Sequence, residues 1–218
     1  MGPALSPLGR GKTRAEDGET LMLVVGIKSR PVYKGLVIDI HSARHLFALE
    51  GEGAEALLDQ IKSVGSGFLE KAEILYVGPE NQAGKLRDLK SFDFWTAPTI
   101  QVLLNRLKAS LQAARMGTRL YLSGTEGFIG QAMQVALDLG IDFNSIRTEH
   151  RGSTARRVQC VHCKGITDNV TTSPFTCSHC GLPLLVRDHY SRRLGAFQGV
   201  NIDAEDPGSA PKPEVLFP

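Results

Sequence analysis

All four cysteines of this 218-residue chain lie in two short motifs, and this arrangement restricts the fold more than any other feature. Cys160 and Cys163 form one C-x2-C pair, and Cys177 and Cys180 form a second pair after thirteen intervening residues. Each C-x2-C turn presents two thiolates on one side, so two such turns supply the four soft ligands of a tetrahedral metal ion. The spacing therefore predicts a small four-cysteine metal domain rather than a set of disulfides.

Zinc is the metal that the motif favours, because a closed site of four thiolates is the usual structural zinc arrangement. Iron is the alternative, since a rubredoxin-like site uses the same four sulfurs, although rubredoxins usually have a longer segment between the pairs. His162 and His179 lie inside the turns and are expected to face solvent, because four thiolates already complete a tetrahedron. Gly165 and Gly181 follow the two pairs and are expected to adopt positive φ angles.

Composition gives no overall bias toward a polyanionic partner. Lys and Arg total 25 against 23 Asp and Glu, so attraction to nucleic acid or to a membrane cannot be inferred from net charge. Residues 1–18 are polar and lack the apolar segment of an export signal, and no run approaches the roughly 18 apolar residues of a membrane-spanning helix. Together with thiolates kept for a metal, these features predict a cytoplasmic location.

Segments with strand and helix patterns alternate along the first two thirds of the chain. Short β-branched apolar runs indicate strands, and apolar residues at helical spacing indicate helices. The predicted strands are 21–27, 36–40, 45–49, 72–77, 92–95, 118–122 and a short one around 146, and the predicted helices are 54–64, 99–114 and 126–139, with a loop or short helix at 79–90. This alternation predicts an α/β fold with a parallel sheet.

Composition divides the chain into four segments. Residues 1–19 are rich in glycine, proline and charge and are predicted to be a disordered leader. Residues 20–152 form the predicted α/β domain, and residues 153–200 form the metal ribbon with an interaction segment. Residues 201–218 are acidic and proline-rich, which predicts an extended tail that can order on contact with a partner.

Two segments of the α/β region resemble the nicotinamide-binding half of ferredoxin reductases. Residues 45–58, HLFALEGEGAEALL, are similar to that family's strand, Gly-Gly-x-Gly-x-Thr-Pro turn and helix. Residues 118–129, TRLYLSGTEGFI, are similar to its Tyr-x-Cys-Gly-Pro-x-x-Phe segment. The resemblance implies a parallel sheet like that of the NAD(P)-binding domain. The candidate cofactor-binding residues are then Gly51, Gly53, Ser123, Gly124 and Thr125.

Several residues depart from the reductase pattern. Glu50, Glu52 and Glu55 place carboxylates in the glycine turn, where they would repel a pyrophosphate. Ser123 stands where the family has the cysteine that lies beside the nicotinamide ring, and Thr125 stands where it has proline. We therefore expect NADPH binding by this chain to be lost or altered.

The sequence also lacks room for other redox groups. About 44 residues precede the first reductase-like motif, whereas a flavin-binding barrel needs on the order of a hundred. The cysteine spacing is not that of a plant-type [2Fe–2S] module. No residue is patterned as a catalytic acid, base or nucleophile, so flavin, cluster and chemistry are expected on other subunits.

A basic segment surrounds the metal motif. From residue 147 to residue 193 there are eight Lys or Arg and three Asp or Glu. This segment fits either nucleic acid or an acidic face of a partner subunit. Residues that are typical of protein interfaces favour the second interpretation. These candidate anchors are Tyr190, Arg192, Leu194, Phe197 and Val200.

The α/β module, the four-cysteine ribbon and the sequence HYSRRLGAF at 189–197 together resemble the small accessory subunits of bacterial dimethylamine monooxygenases. The resemblance implies an accessory subunit of a heteromeric enzyme that N-demethylates dimethylamine to methylamine and formaldehyde with NADPH and O2. Haem would lie on one partner subunit, and FMN and a [2Fe–2S] cluster on a reductase subunit. Two alternatives stay open from the residues alone, namely a rubredoxin-like electron-transfer subunit and a zinc-ribbon nucleic-acid-binding protein.

Overall fold

Residues 29–218 are described by a computed structural model, and the predicted leader at 1–19 and strand at 21–27 lie outside them. Strands and helices alternate from residue 44 onward. The first sheet contains β1 (Arg44–Glu50), β2 (Ala72–Val77), β3 (Asp93–Ala97), β4 (Thr118–Gly124) and β5 (Ile146–His150). The helices between these strands are α1 (Gly53–Val64), α2 (Glu80–Arg87), α3 (Ile100–Gln112) and α4 (Glu126–Asp138).

The first sheet is parallel, in the order β3-β2-β1-β4-β5, which confirms the predicted α/β fold class. Helices α3 and α4 cover one face, and α1 and α2 cover the other. Burial on both faces explains why β2 is apolar at almost every position, as is typical of strands in parallel sheets. The strand order reverses between β1 and β4, so α1 and α4 begin side by side at the carboxyl edge of the sheet.

The strand predicted at 36–40 is not formed, and that prediction was wrong. Leu36 is buried in the apolar cluster under α1, but the segment has no strand partner. Its amides bond to side chains instead. The Leu36 N–H donates to the Glu149 carboxylate at 2.7 Å, and the Asp39 N–H donates to the Tyr121 hydroxyl at 3.1 Å. The apolar alternation therefore reflects burial of an irregular segment.

The second part of the chain is a compact set of short strands around the cysteines. Its sheet has the order β7-β6-β11-β10-β9, in which β6 and β11 are parallel and the other pairs are antiparallel. The strands are β6 (Arg156–Cys160), β7 (Ile166–Val170), β8 (Thr172–Ser173), β9 (Phe175–Thr176), β10 (Pro183–Ser191), β11 (Ala196–Asn201) and β12 (Glu214–Val215). This ribbon has a small apolar core that includes Val158, Leu184 and Phe197.

The turn between β10 and β11 packs directly on helix α4. A Cβ added to Gly195 would lie 2.7 Å from the backbone carbon of Gly130, so the two glycines allow the backbones to approach closely. The side-chain amide of Gln134 donates to the Arg193 carbonyl at 2.7 Å. These contacts fix the ribbon against the α/β module.

Residues 201–218 fold back along the ribbon. Strand β12 pairs with β8 in an antiparallel ladder, and the Thr154 N–H donates to the Pro218 carbonyl at 2.7 Å. The boundaries of the four predicted segments stay a prediction. None of the helices within residues 29–218 has the length and apolar character needed to cross a membrane.

Candidate functional site

The four cysteine sulfurs converge in the ribbon, all within 4.8 Å of one another. The Cys160 and Cys180 sulfurs are 3.8 Å apart, and so are the Cys163 and Cys177 sulfurs. A tetrahedron with metal–sulfur bonds of about 2.3 Å has sulfur–sulfur edges of about 3.8 Å. The four thiols, none of which forms a disulfide, therefore have the spacing of a ligand set for a single metal ion.

Both cysteine pairs sit on turns that are closed in the same way. In the first turn, the Cys160 N–H donates to the Gly165 carbonyl at 2.9 Å, and in the second the Cys177 N–H donates to the Leu182 carbonyl at 2.9 Å. The first turn joins β6 to β7, and the second joins β9 to β10. Two similar turns facing each other place four sulfurs in a small volume.

The two glycines after these pairs serve different purposes. Gly181 has φ +75°, as predicted. The same prediction for Gly165 was wrong, because Lys164 adopts the positive φ of +62° in that turn. A Cβ added to Gly165 would lie 2.5 Å from the His179 ring, so this glycine leaves room for the imidazole. The His179 Nε2 atom hydrogen-bonds to the Ile166 carbonyl at 2.8 Å and so ties the two turns together.

Electrostatics in the cluster favour a bound cation. Although burial opposes ionisation, the backbone N–H groups of Cys180 and His179 lower the pKa of the Cys177 thiol to about 6. The Leu182 amide favours the Cys180 thiolate as well, but burial and the neighbouring sulfurs raise the pKa of that thiol to about 12. Four thiolates this close can coexist only with a cation that balances their charge.

The five residues predicted to contact a cofactor meet at the carboxyl edge of the first sheet. Gly51 and Thr125 line a cleft of about 420 Å³ between β1, β4 and the segment after β5. The other three lie behind its surface, and Ser123 is fully buried. Further side chains along the cleft are Glu50, Glu52, Asn81, Gln82 and Arg151.

The carboxylate of Glu50, the last residue of β1, lies at the N-terminus of helix α4. One of its carboxylate oxygens accepts hydrogen bonds from the Thr125 N–H at 2.8 Å and from the Thr125 hydroxyl at 2.7 Å. Thr125 is the N-cap residue of α4, and helix N-termini attract anions. The chain therefore supplies its own carboxylate where a phosphate would otherwise find N–H donors.

Of the two glycines of the turn, Gly51 adopts a positive φ of +51° and Gly53 allows close packing. A Cβ on Gly53 would lie 2.2 Å from the Ser123 carbonyl oxygen, so α1 is in tight contact with β4. The Ser123 hydroxyl donates to the Glu149 carbonyl at 2.8 Å, and the Gly51 carbonyl accepts from the Tyr76 hydroxyl at 3.2 Å. With these groups committed and Glu50 in place, the turn does not fit the pyrophosphate of a dinucleotide.

Part of the basic segment is internal. Arg156 pairs with Asp188 at 2.9 Å and Arg157 with Asp168 at 3.2 Å. Phe197, which the sequence indicated as an exposed anchor, is only 1% exposed and belongs to the ribbon core. Its interface role was wrongly predicted, because an aromatic residue that ends up in a small core has the same local pattern as an exposed one.

Comparison with known proteins assigns the family. Residues 25–146 match the family described as "Dimethylamine monooxygenase subunit DmmA-like, N-terminal domain", and residues 157–200 match the corresponding C-terminal domain. The chain belongs to the DmmA-like family. It is also 35% identical over 134 residues to the "Heme-dependent oxidative N-demethylase delta subunit" of Ectopseudomonas mendocina (strain ymp). That alignment covers 61% of this chain and 75% of the relative.

Solved structures resemble this DmmA-like chain only loosely. Full-length CYP116B46 from Tepidiphilus thermophilus is 17% identical with a TM-score of 0.39, and the match covers 60% of the chain and 19% of that protein. An intact type IV self-sufficient cytochrome P450 monooxygenase is 16% identical, also with a TM-score of 0.39. That match covers 75% of this chain and 28% of the monooxygenase. The chain thus spans less than a third of either protein, and the TM-scores are too low to bear on its function.

Two features of the DmmA-like chain were missed by sequence reasoning. Glu50 was interpreted only as a repulsive charge. The signal for its actual role is the threonine N-cap of the neighbouring helix, whose N–H needs an acceptor. The guanidinium of Arg156 lies between the rings of Phe197 and Phe217, 4.0 Å from each ring centre. No local pattern indicates that sandwich, because Phe197 and Phe217 are 41 and 61 residues from Arg156.

Proposed function

We propose that this chain is an accessory subunit of a heteromeric, haem-dependent monooxygenase that N-demethylates dimethylamine to methylamine and formaldehyde with NADPH and O2. The observation that carries the proposal is the match of both parts of the chain, in order, to the two DmmA-like domains. The name of the relative from Ectopseudomonas mendocina, a delta subunit, supports an assembly of several different chains.

The chain's own task is then structural. It would hold a reductase subunit against a haem subunit, so that electrons cross a short gap between their cofactors. We propose zinc at Cys160, Cys163, Cys177 and Cys180, because four thiolates complete its tetrahedron and leave no open position for catalysis. The bound ion would supply folding energy to a ribbon whose apolar core is small.

The redox groups would belong to the partners. All four cysteines of the chain are in the ribbon, which leaves none for a [2Fe–2S] cluster. The Glu50 carboxylate at the start of α4 disfavours NADPH at the reductase-like turn. We therefore propose that NADPH, FMN and the cluster are held by the reductase subunit and haem by another subunit, with the whole assembly in the cytoplasm.

Isolation of the assembly tests this function. The tagged full-length chain would be purified from its native cells grown on a methylated amine, and the ultraviolet–visible spectrum of everything that co-purifies would be recorded. A Soret band with a flavin shoulder is expected, together with dimethylamine-dependent NADPH oxidation that stops when the chain is omitted and returns when it is added back. A colourless chain without partners would contradict the proposal, and a spectrum of iron–thiolate alone would indicate an electron carrier.

A further inference from the structure

A basic surface with an exposed aromatic ring lies where the ribbon meets the α/β module. Phe143, in the short 3-10 turn before β5, is 49% exposed. The Arg192 guanidinium, from the β10–β11 turn, lies 5.4 Å from the centre of the Phe143 ring. Arg147 of β5 donates to the Asn144 carbonyl at 2.6 Å, which places its guanidinium beside the same turn. We call Phe143, Arg147, Arg192 and Arg193 the arginine surface.

The cations of this surface form no ion pair within the described residues. Within residues 29–218, none of the three guanidinium groups has a carboxylate oxygen within 4.0 Å. The nearby Asp142 carboxylate is engaged locally, since it accepts from the Asn144 N–H at 3.1 Å. The arginine surface thus differs from Arg156 and Arg157, which are paired with aspartates of the ribbon.

The surface is also held in place. The Arg193 carbonyl accepts from Gln134 of α4 at 2.7 Å, and the adjoining Gly195 packs against the backbone of Gly130. The turn that carries Arg192 and Arg193 is therefore fixed to the helix, and little ordering of the backbone would be needed on binding. Preformed surfaces bind more tightly because this entropic cost is already met.

We propose that the arginine surface docks onto an acidic face of a partner subunit, with Phe143 entering an apolar recess rimmed by carboxylates. Arg and aromatic residues are enriched in the energetically important parts of protein interfaces. Guanidinium groups bind carboxylates through paired hydrogen bonds, which would fix the register of the two subunits. This inference rests on the proposed function, because it assumes that the chain works inside a hetero-oligomer.

A protein partner fits this surface better than nucleic acid does. Nucleic-acid-binding surfaces carry a stripe of cations that follows the phosphates. Here the guanidinium of Arg192 lies 5.4 Å from the centre of one exposed ring, and the formal charge of the entire chain is only +2. The exposed ring adds an apolar contact beside these cations, and a combination of aromatic and Arg side chains is typical of protein interfaces.

The test compares two charge-reversal variants of the full-length chain, each co-produced with the haem and reductase subunits. R192E/R193E alters the arginine surface. K108E/R115E makes the same change in charge at two exposed positions, on α3 and just after it, that have no ion pair in the described residues. The dissociation constant for the partner subunits would be measured as a function of NaCl concentration. R192Q/R193Q and F143A would separate the contributions of charge and ring, and circular dichroism with metal content would verify folding.

The dissociation constant should rise about tenfold or more in R192E/R193E, with a weaker dependence on salt, and should be unchanged in K108E/R115E. F143A should weaken binding without changing the salt dependence. Normal binding by folded R192E/R193E would overturn the docking proposal and leave the proposed function standing. The docking proposal would also be overturned if nucleic acid co-purified with the wild-type chain but not with this variant. A wild-type chain that binds neither subunit would instead defeat the proposed function, and the docking proposal with it.

Discussion

Glu50 and Thr125 share a contact that changes what the turn between β1 and α1 can bind. In a nucleotide-binding module, N–H groups at helix N-termini are left open for phosphate. Here the Thr125 N–H already donates to the Glu50 carboxylate at 2.8 Å, and the Glu50 side chain packs against Gly124. The Glu50 side chain thus occupies the donors that a phosphate would use, while Gly51 keeps the positive φ of the turn and Gly53 keeps its close contact with β4.

Glu50→Ala should destabilise the chain by about 1–2 kcal/mol, because the N–H and hydroxyl of Thr125 both lose their acceptor. Phosphate should then raise the urea midpoint of the variant more than that of the wild type, since an added anion can bind the freed donors. Glu52→Ala is the control, as Glu52 is exposed and makes no side-chain cap bond. Equal stability of Glu50→Ala and wild type would show that the Glu50–Thr125 contact does not stabilise the fold.

Glu126 gives the stability of the chain a pH dependence. Burial raises its pKa above the ordinary 4.5, even though the charges of Arg156 and His150 favour the ionised form. Between 4.5 and the raised value, the folded state binds more protons than the unfolded state, so stability falls as pH increases through this window. Glu126→Gln should remove that fall. Unfolding free energies of variant and wild type should converge near pH 4.5 and diverge toward neutral pH, whereas the exposed Glu55→Gln should follow the wild type.

At the scale of elements, we expect the ribbon to depend on the proposed metal ion more than the α/β module depends on any one residue. The ribbon core contains few large apolar side chains, and two of its buried residues are the cysteines Cys160 and Cys177. The parallel sheet, by contrast, is covered by apolar clusters on both faces. Loss of the ion should therefore unfold the ribbon and leave the α/β module folded.

Cys160→Ser should unfold residues 155–190 and release the partner subunits, while the α/β module stays folded. Structural zinc contributes on the order of 10 kcal/mol to the folding of small zinc domains, which exceeds the stability of most isolated ribbons. Hydrogen exchange measured segment by segment would show the loss of protection. His162→Ala should keep the metal, since His162 is exposed and all four sulfurs remain. Full protection of the ribbon in Cys160→Ser would disprove a structural role for the ion.

Local pattern predicted the elements well and their long-range partners poorly. The helix expected at 54–64 is observed as Gly53–Val64, and the strand expected at 72–77 is observed unchanged, because periodicity is a property of neighbouring residues. The cysteine spacing likewise indicated that four sulfurs meet. The segment at 36–40 looked like a strand because burial alternates along it, but its hydrogen-bond partners are side chains over eighty residues away. Such contacts have no local signal.

At the scale of the whole molecule, the segment after β11 joins parts that are distant in sequence. Strand β12 pairs with β8, and Phe217 completes the sandwich around Arg156 opposite Phe197. The Pro218 carbonyl accepts from the Thr154 N–H at 2.7 Å, in the linker between the two sheets. The acidic, proline-rich composition suggested an extended tail and did not indicate this contact.

Phe217→Ala should lower the free energy of unfolding by about 1–2 kcal/mol, because a partly desolvated cation–π contact and its apolar area are both lost. The Thr154 amide should then exchange its hydrogen faster, since its acceptor lies on the residue next to Phe217. Leu216→Ala is the matched control. Leu216 is 54% exposed, and its backbone N–H can still donate to the Thr171 carbonyl in the variant. If Phe217→Ala exchanges the Thr154 amide hydrogen at the wild-type rate, the segment does not hold the linker, and the ribbon is positioned by contacts such as Gly130–Gly195 and Gln134–Arg193.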